Sequence, residues 1–191
     1  MSFPEYWDAQ ASEQGVLASE HAGDAEYDRI TEYQLGLIRD RLPGTGVVCD
    51  IGAGVGRLML PLAAERPDLM FYAAEPSSEM RSKIPTTAPN VVVSDGLSLA
   101  SPVMSMVYCV LVLQHNDEIN ARKIIVDAIE AAGLEGRILI QFVRGDEHAV
   151  HGPRSHDYTI DQMKHWMPEG TTFFQDECGY SDSWWWAYYE A

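Results

Sequence analysis

The sequence predicts an α/β fold: a doubly wound, seven-stranded, mostly parallel sheet with an antiparallel C-terminal hairpin and helices on both faces, three layers in all. Three observations carry that expectation. Five apolar runs, Val47–Ile51, Leu69–Ala74, Val91–Val93, Met104–Leu113 and Arg137–Val143, alternate with segments of helical period. Continuous apolar runs suit parallel strands covered by helices on both sides. The first run enters Asp50-Ile51-Gly52-Ala53-Gly54-Val55-Gly56-Arg57, with glycines at alternate positions. Two aromatic-rich runs, Thr171–Phe174 and Trp184–Tyr189, flank a turn at Gly179-Tyr180-Ser181-Asp182 and read as the hairpin.

The elements follow in order. From Tyr27, Ile30, Tyr33, Leu37 and Ile38 recur at helical spacing until Pro43-Gly44 ends the run. Val47–Ile51 is the first strand, and Val55–Glu65 a helix in which Pro61 forces a kink or a second start. The second strand ends on Glu75 before Pro76, and Ser77 or Ser78 caps a short helix through Met80 and Ile84. The third strand stops at Ser94-Asp95-Gly96. After the fourth, Asn116 or Asp117 caps a long helix whose stripe is Ile119, Ile124, Ile125, Ala128, Ile129 and Ala132, up to Gly133. The fifth strand, Arg137–Val143, leads into a polar loop from Arg144 to Asp157 and a short helix near Thr159.

The chain has 191 residues, enough for one domain with a substantial core. We expect a single domain, with residues 1–43 as an N-terminal helical segment and 44–191 as the α/β core. The net charge of −16, from 29 acids against 13 basic residues, argues against nucleic acid, which draws on clustered Lys and Arg. Cys49, Cys109 and Cys178 are odd in number and far apart, so a disulfide framework is not expected. The N-terminus carries no signal-like leader, and no apolar stretch approaches membrane-spanning length. These features predict a cytoplasmic protein with no membrane association.

Glycines between a strand and a helix bring backbone N–H groups close to a ligand. With acids after the next two strands, the chain resembles the class I S-adenosylmethionine (SAM)-dependent methyltransferases, as a small single-domain member with a Rossmann-like fold, over most of its length. The resemblance implies SAM as cofactor and S-adenosylhomocysteine as product. It implies that Asp50, Gly52, Ala53, Gly54 and Gly56 wrap the methionine part of the cofactor. Glu75, followed by Pro76, would accept hydrogen bonds from the ribose hydroxyls, and Asp95-Gly96 would meet the adenine amino group. Val110-Leu111-Val112-Leu113-Gln114-His115 would border the reacting methyl. Tyr6 and Trp7 are similar to the aromatic residues that form part of a lid in several family members; packing as hydrophobic anchors is the equal alternative.

The implied activity is methyl transfer to a small-molecule acceptor, as an O- or N-methyltransferase acting by in-line displacement. His115 is the candidate base, since a histidine takes a proton near neutral pH; a strand-end residue bonded to backbone is the other reading. Arg144, His148 and Arg154, in the loop beyond the fifth strand, are the substrate-side candidates, the arginines suited to a carboxylate or phosphate; balancing the acidic neighbours is their other reading. That loop's spacings match no zinc helix or knuckle, so no metal is expected. Departures from the family pattern are Ser105, where an Asp usually starts the fourth strand, and the lack of Asn-Pro-Pro-Tyr or Asp-Pro-Pro-Tyr after it. Two alternatives stand: a SAM-binding or regulatory protein without turnover, and a nicotinamide-dependent oxidoreductase. The latter wants Gly or Ala where this chain has Arg57. The aromatics of the Trp184–Tyr189 strand are read first as buried packing, and one face left open would make a homodimer surface.

Overall fold

Residues 5–9, 25–85, 87–97, 103–133, 135–146, 150–152, 155–178 and 181–191 are described by the computed structural model. The chain divides into two compact units, Met1–Ala100 and Ser101–Ala191.

In the first unit, residues 5–9 form a short helical turn. Helix α1 (Ala25–Arg39) buries Ile30, Gln34, Leu35 and Ile38, one stripe at the 3.6 period but with a glutamine in it. Strand β1 (Val47–Ile51), helix α2 (Met59–Glu65), strand β2 (Met70–Ala74), helix α3 (Ser78–Lys83) and strand β3 (Val91–Ser94) follow. The expected helix from Val55 starts later, because residues 54–58 form turns. Pro61 falls in the first turn of α2, where its missing N–H breaks no intrahelical bond. Ser77 caps α3 by accepting from the Met80 N–H. β1 pairs in parallel with β2, Val47 beside Met70 and Ile51 beside Ala74, and β2 with β3. Buried Asn90 donates to the Ala63 and Leu69 carbonyls at 3.0 Å each, tying the end of α2 to the start of β2.

In the second unit, strand β4 (Met106–Cys109) is buried on both faces but is shorter than the predicted run Met104–Leu113. Leu111 adopts φ 61°, a left-handed conformation incompatible with an extended strand. Leu113–His115 then make a 3₁₀ turn, and Asp117 caps helix α4 (Glu118–Ala132) by accepting from the Asn120 N–H. The predicted stripe is corrected here: Ile119 is 81 % exposed, and the buried positions are Ala121, Ile125, Ala128 and Ala132. Strand β5 (Arg137–Val143) pairs in parallel with β4. The polar loop after it holds two short antiparallel strands, β6 (Val150–Gly152) and β7 (Ser155–His156). Helix α5 (Ile160–Trp166) starts with a reciprocal capping box between Thr159 and Gln162. Strands β8 (Thr172–Gln175) and β9 (Trp184–Glu190) form the antiparallel hairpin, and β9 also runs antiparallel to β5 from Arg137↔Glu190 to Val143↔Trp184.

The seven-stranded sheet has the order β3-β2-β1-β4-β5-β9-β8. A buried carboxylate fastens its hairpin end. Asp176 accepts from Gln141 Nε2 at 2.9 Å, Trp186 Nε1 at 2.8 Å and the Cys178 N–H at 2.9 Å, and three donors offset much of the cost of burying a charge. The three cysteines are buried and form no disulfide with one another. Among the described residues, no helix is long and apolar enough to cross a membrane.

Candidate cofactor-binding site

The glycine loop begins where β1 ends. Gly52, Gly54 and Gly56 have φ of 73°, 57° and 87°, conformations that cost an L-residue about 1–2 kcal/mol each. Three left-handed residues at alternate positions roll the chain tightly between β1 and α2. The Gly52 N–H donates to the Ala74 carbonyl at 2.7 Å, so the loop is fixed to the end of β2. Asp50 and Ala53 are buried. Burial, and then the neighbouring Asp50, push the Cys49 thiol far above its ordinary range, which leaves it inert.

Glu75 is held against this loop. Its Oε2 accepts from the Gly54 N–H and its Oε1 from the Ser77 N–H, both at 2.8 Å. Burial pushes its carboxyl above the usual glutamate range, opposed by those two N–H groups. A carboxylate offers about four acceptor positions, so two bonded N–H groups leave capacity for a vicinal pair of hydroxyls. Arg81 reaches back to the Glu75 carbonyl at 2.6 Å, and Pro76 sits half-buried between Glu75 and the Ser77 cap. Asp95 is exposed beyond β3. The Gly96 carbonyl beside it accepts from Ser94 Oγ at 2.9 Å and Tyr72 Oη at 3.4 Å, which fixes the turn.

Two supports of the loop escaped the sequence reading. Arg57 donates to Thr31 Oγ1 at 2.9 Å and Gln34 Oε1 at 2.8 Å, and its guanidinium lies 5.6 Å from the Tyr27 ring centroid. It therefore anchors the glycine loop to α1, which explains a buried glutamine on that helix. Asp8 Oδ1 accepts from Ser77 Oγ at 2.6 Å and the Glu79 N–H at 3.1 Å, and Oδ2 from Ser78 Oγ at 3.3 Å. The Ser77 hydroxyl, then the Glu79 N–H, hold the Asp8 carboxyl below its usual range. A hydrogen-bonded chain thus runs from Asp8 through Ser77 and Glu75 to Gly54. No local pattern announces it, because Asp8 and Ser77 are 69 residues apart. Tyr6 and Trp7 lie in the same helical turn, edge to face with centroids 5.2 Å apart.

The remaining candidates belong to the second unit. Val110 is buried just past β4, and His115 is half-buried at the end of the 3₁₀ turn, its N–H donating to the Val112 carbonyl at 3.0 Å. That turn is clamped by Tyr158, whose buried hydroxyl donates to the Asn116 carbonyl and lies 3.2 Å from that of Leu113. Arg144 stacks on Trp185, its guanidinium 4.8 Å from the ring centroid. His148 and Arg154 lie outside the described residues.

No family model and no curated protein matches the sequence. Among solved structures, the chain is similar to magnesium protoporphyrin IX methyltransferase from Synechocystis PCC 6803 with bound SAM, with a TM-score of 0.71, 14% identity, and coverage of 98% of this chain and 96% of that one. It is also similar to a SAM-dependent methyltransferase of Leishmania major, TM-score 0.68, 18% identity, covering 97% and 80%. A third likeness is to an S-adenosylmethionine-dependent methyltransferase from Clostridium acetobutylicum ATCC 824, TM-score 0.63, 11% identity, covering 95% and 98%. The chain has the class I methyltransferase fold. In this fold the antiparallel β9 between β5 and β8 departs from the all-parallel dinucleotide order. At such identities the likeness lies in the backbone path, so residue roles in this methyltransferase-fold chain rest on its own geometry.

Proposed function

We propose that the chain is a SAM-dependent methyltransferase acting on a small-molecule acceptor, by O- or N-methylation, in the cytoplasm. The observation that carries this reading is the Glu75 carboxylate at the end of β2, bonded to Gly54 of a glycine loop with three left-handed residues. In this reading the loop N–H groups and Asp50 hold the methionine part of SAM, Glu75 takes the ribose hydroxyls, and Asp95 meets the adenine amino group. Bound there, SAM supplies a methyl on a positively charged sulfur, already activated for displacement. The protein's part is to orient the acceptor and exclude water. His115 would take the acceptor's proton. The charge of −16 supports a small molecule over nucleic acid.

Incubation with methyl-labelled SAM and metabolite pools is expected to transfer label; tight binding without transfer would favour the non-catalytic alternative. In calorimetry, Glu75→Ala weakens SAM binding by about 1–3 kcal/mol, and unchanged affinity would remove the ribose assignment. His115→Ala lowers turnover about a hundredfold while SAM affinity stays. Equal activity would make it a structural residue.

A further inference from the structure

Arg144 differs from three surface arginines that are each spent on a close carboxylate. Arg39 is spent on Glu65 with two bonds of 2.7 and 2.8 Å, Arg66 on Asp68 with 2.8 and 2.6 Å, and Arg137 on Glu190 at 2.7 Å. Among the described residues, the carboxylate nearest the Arg144 guanidinium is that of exposed Asp146, at 4.0 Å, beyond hydrogen-bond reach. No acceptor among the described residues takes the Arg144 side-chain donors, yet its position is fixed. The backbone N–H donates to the Ser183 carbonyl at 2.7 Å and the residue bridges to Tyr158, while the guanidinium rests on the Trp185 ring. Trp185 Nε1 is buried with no hydrogen-bond acceptor among the described residues. A guanidinium with surplus donors, held on an indole face, suits an anion. It stands immediately after β5, and ligands of doubly wound sheets sit at the carboxyl ends of strands.

We propose, resting on the methyltransferase reading, that Arg144 held on Trp185 is the subsite that recognises a carboxylate of the acceptor. A planar guanidinium fork matches a carboxylate with two parallel bonds, and the stacked indole removes the rotamer freedom that such a bond otherwise costs. The acceptor class is then a small carboxylic acid whose nucleophile lies elsewhere in the molecule.

The test pairs benzoate, 4-hydroxybenzoate, salicylate and cinnamate with their carboxamides, and adds phenyl phosphate. Binding to the full chain is read by saturation-transfer NMR with and without S-adenosylhomocysteine. The acids are expected to bind about tenfold more tightly than the amides. Arg144→Ala abolishes the difference, Arg144→Lys restores part of it, and SAM affinity is the same in all three proteins. Acids and amides binding alike, or neither binding, overturns the subsite, as does an acid preference that survives Arg144→Ala. A stronger response to phenyl phosphate makes it a phosphate site, and lost SAM affinity in Arg144→Ala makes Arg144 a cofactor contact; both overturn it. Failure of SAM to bind the unaltered chain would instead refute the methyltransferase reading.

Discussion

Gly56 and Gly96 make opposite demands on their backbone. At Gly56, φ is 87° and a Cβ would lie 2.8 Å from the Leu60 side chain, so Gly56→Ala is strained both ways and should lose about 1–2 kcal/mol in urea unfolding. At Gly96 a Cβ would meet nothing within 4 Å, and Gly96→Ala should stay within about 0.5 kcal/mol. Equal stabilities would mean that the loop's left-handed path is not required. The loop of Gly52, Gly54 and Gly56 after the first strand and Glu75 at the end of the second were legible because residue type and local order coincide there. The partners of Arg57 were not, since Thr31 and Gln34 precede it by 26 and 23 residues. Leu111 was equally hidden: an apolar residue amid an apolar run carries no sign that its φ is 61°.

At the scale of elements, caps and strands were readable because their signals are local. Ser77 and Asp117 each cap their helix, and β5 has the predicted bounds. The fourth strand was overextended, since a buried turn and a buried strand share the same apolar composition. Asp8 ties the helical turn at residues 5–9 to Ser77, Ser78 and Glu79. Its pKa is depressed on folding, so its contribution is full above the unfolded value, 3.8, and is lost as pH falls through the lower folded value. Hydrogen exchange of residues 5–9, corrected for intrinsic rates, should accelerate in that acid range. In Asp8→Asn it should already be fast at neutral pH. Protection that ignores both pH and the substitution would show that the turn is held by other contacts.

For the whole molecule, 29 acids against 13 basic residues make self-repulsion a term in stability. Raising NaCl from about 10 mM to about 200 mM shortens the Debye length severalfold, and the melting temperature should rise. A fall would mean that exposed pairs such as Arg39–Glu65 outweigh the repulsion. The sequence by itself determined the α/β class, the glycine loop, the acids at the strand ends and the C-terminal hairpin, because these depend on periodicity and turn chemistry within a few residues. Only the tertiary structure decided that β9 lies between β5 and β8, that Asp8 braces Ser77 beside Glu75, and that Arg144 rests on Trp185. Those pairings join residues tens of positions apart, and which distant groups meet is fixed by packing and by satisfying buried polar atoms, neither of which leaves a local pattern in the chain.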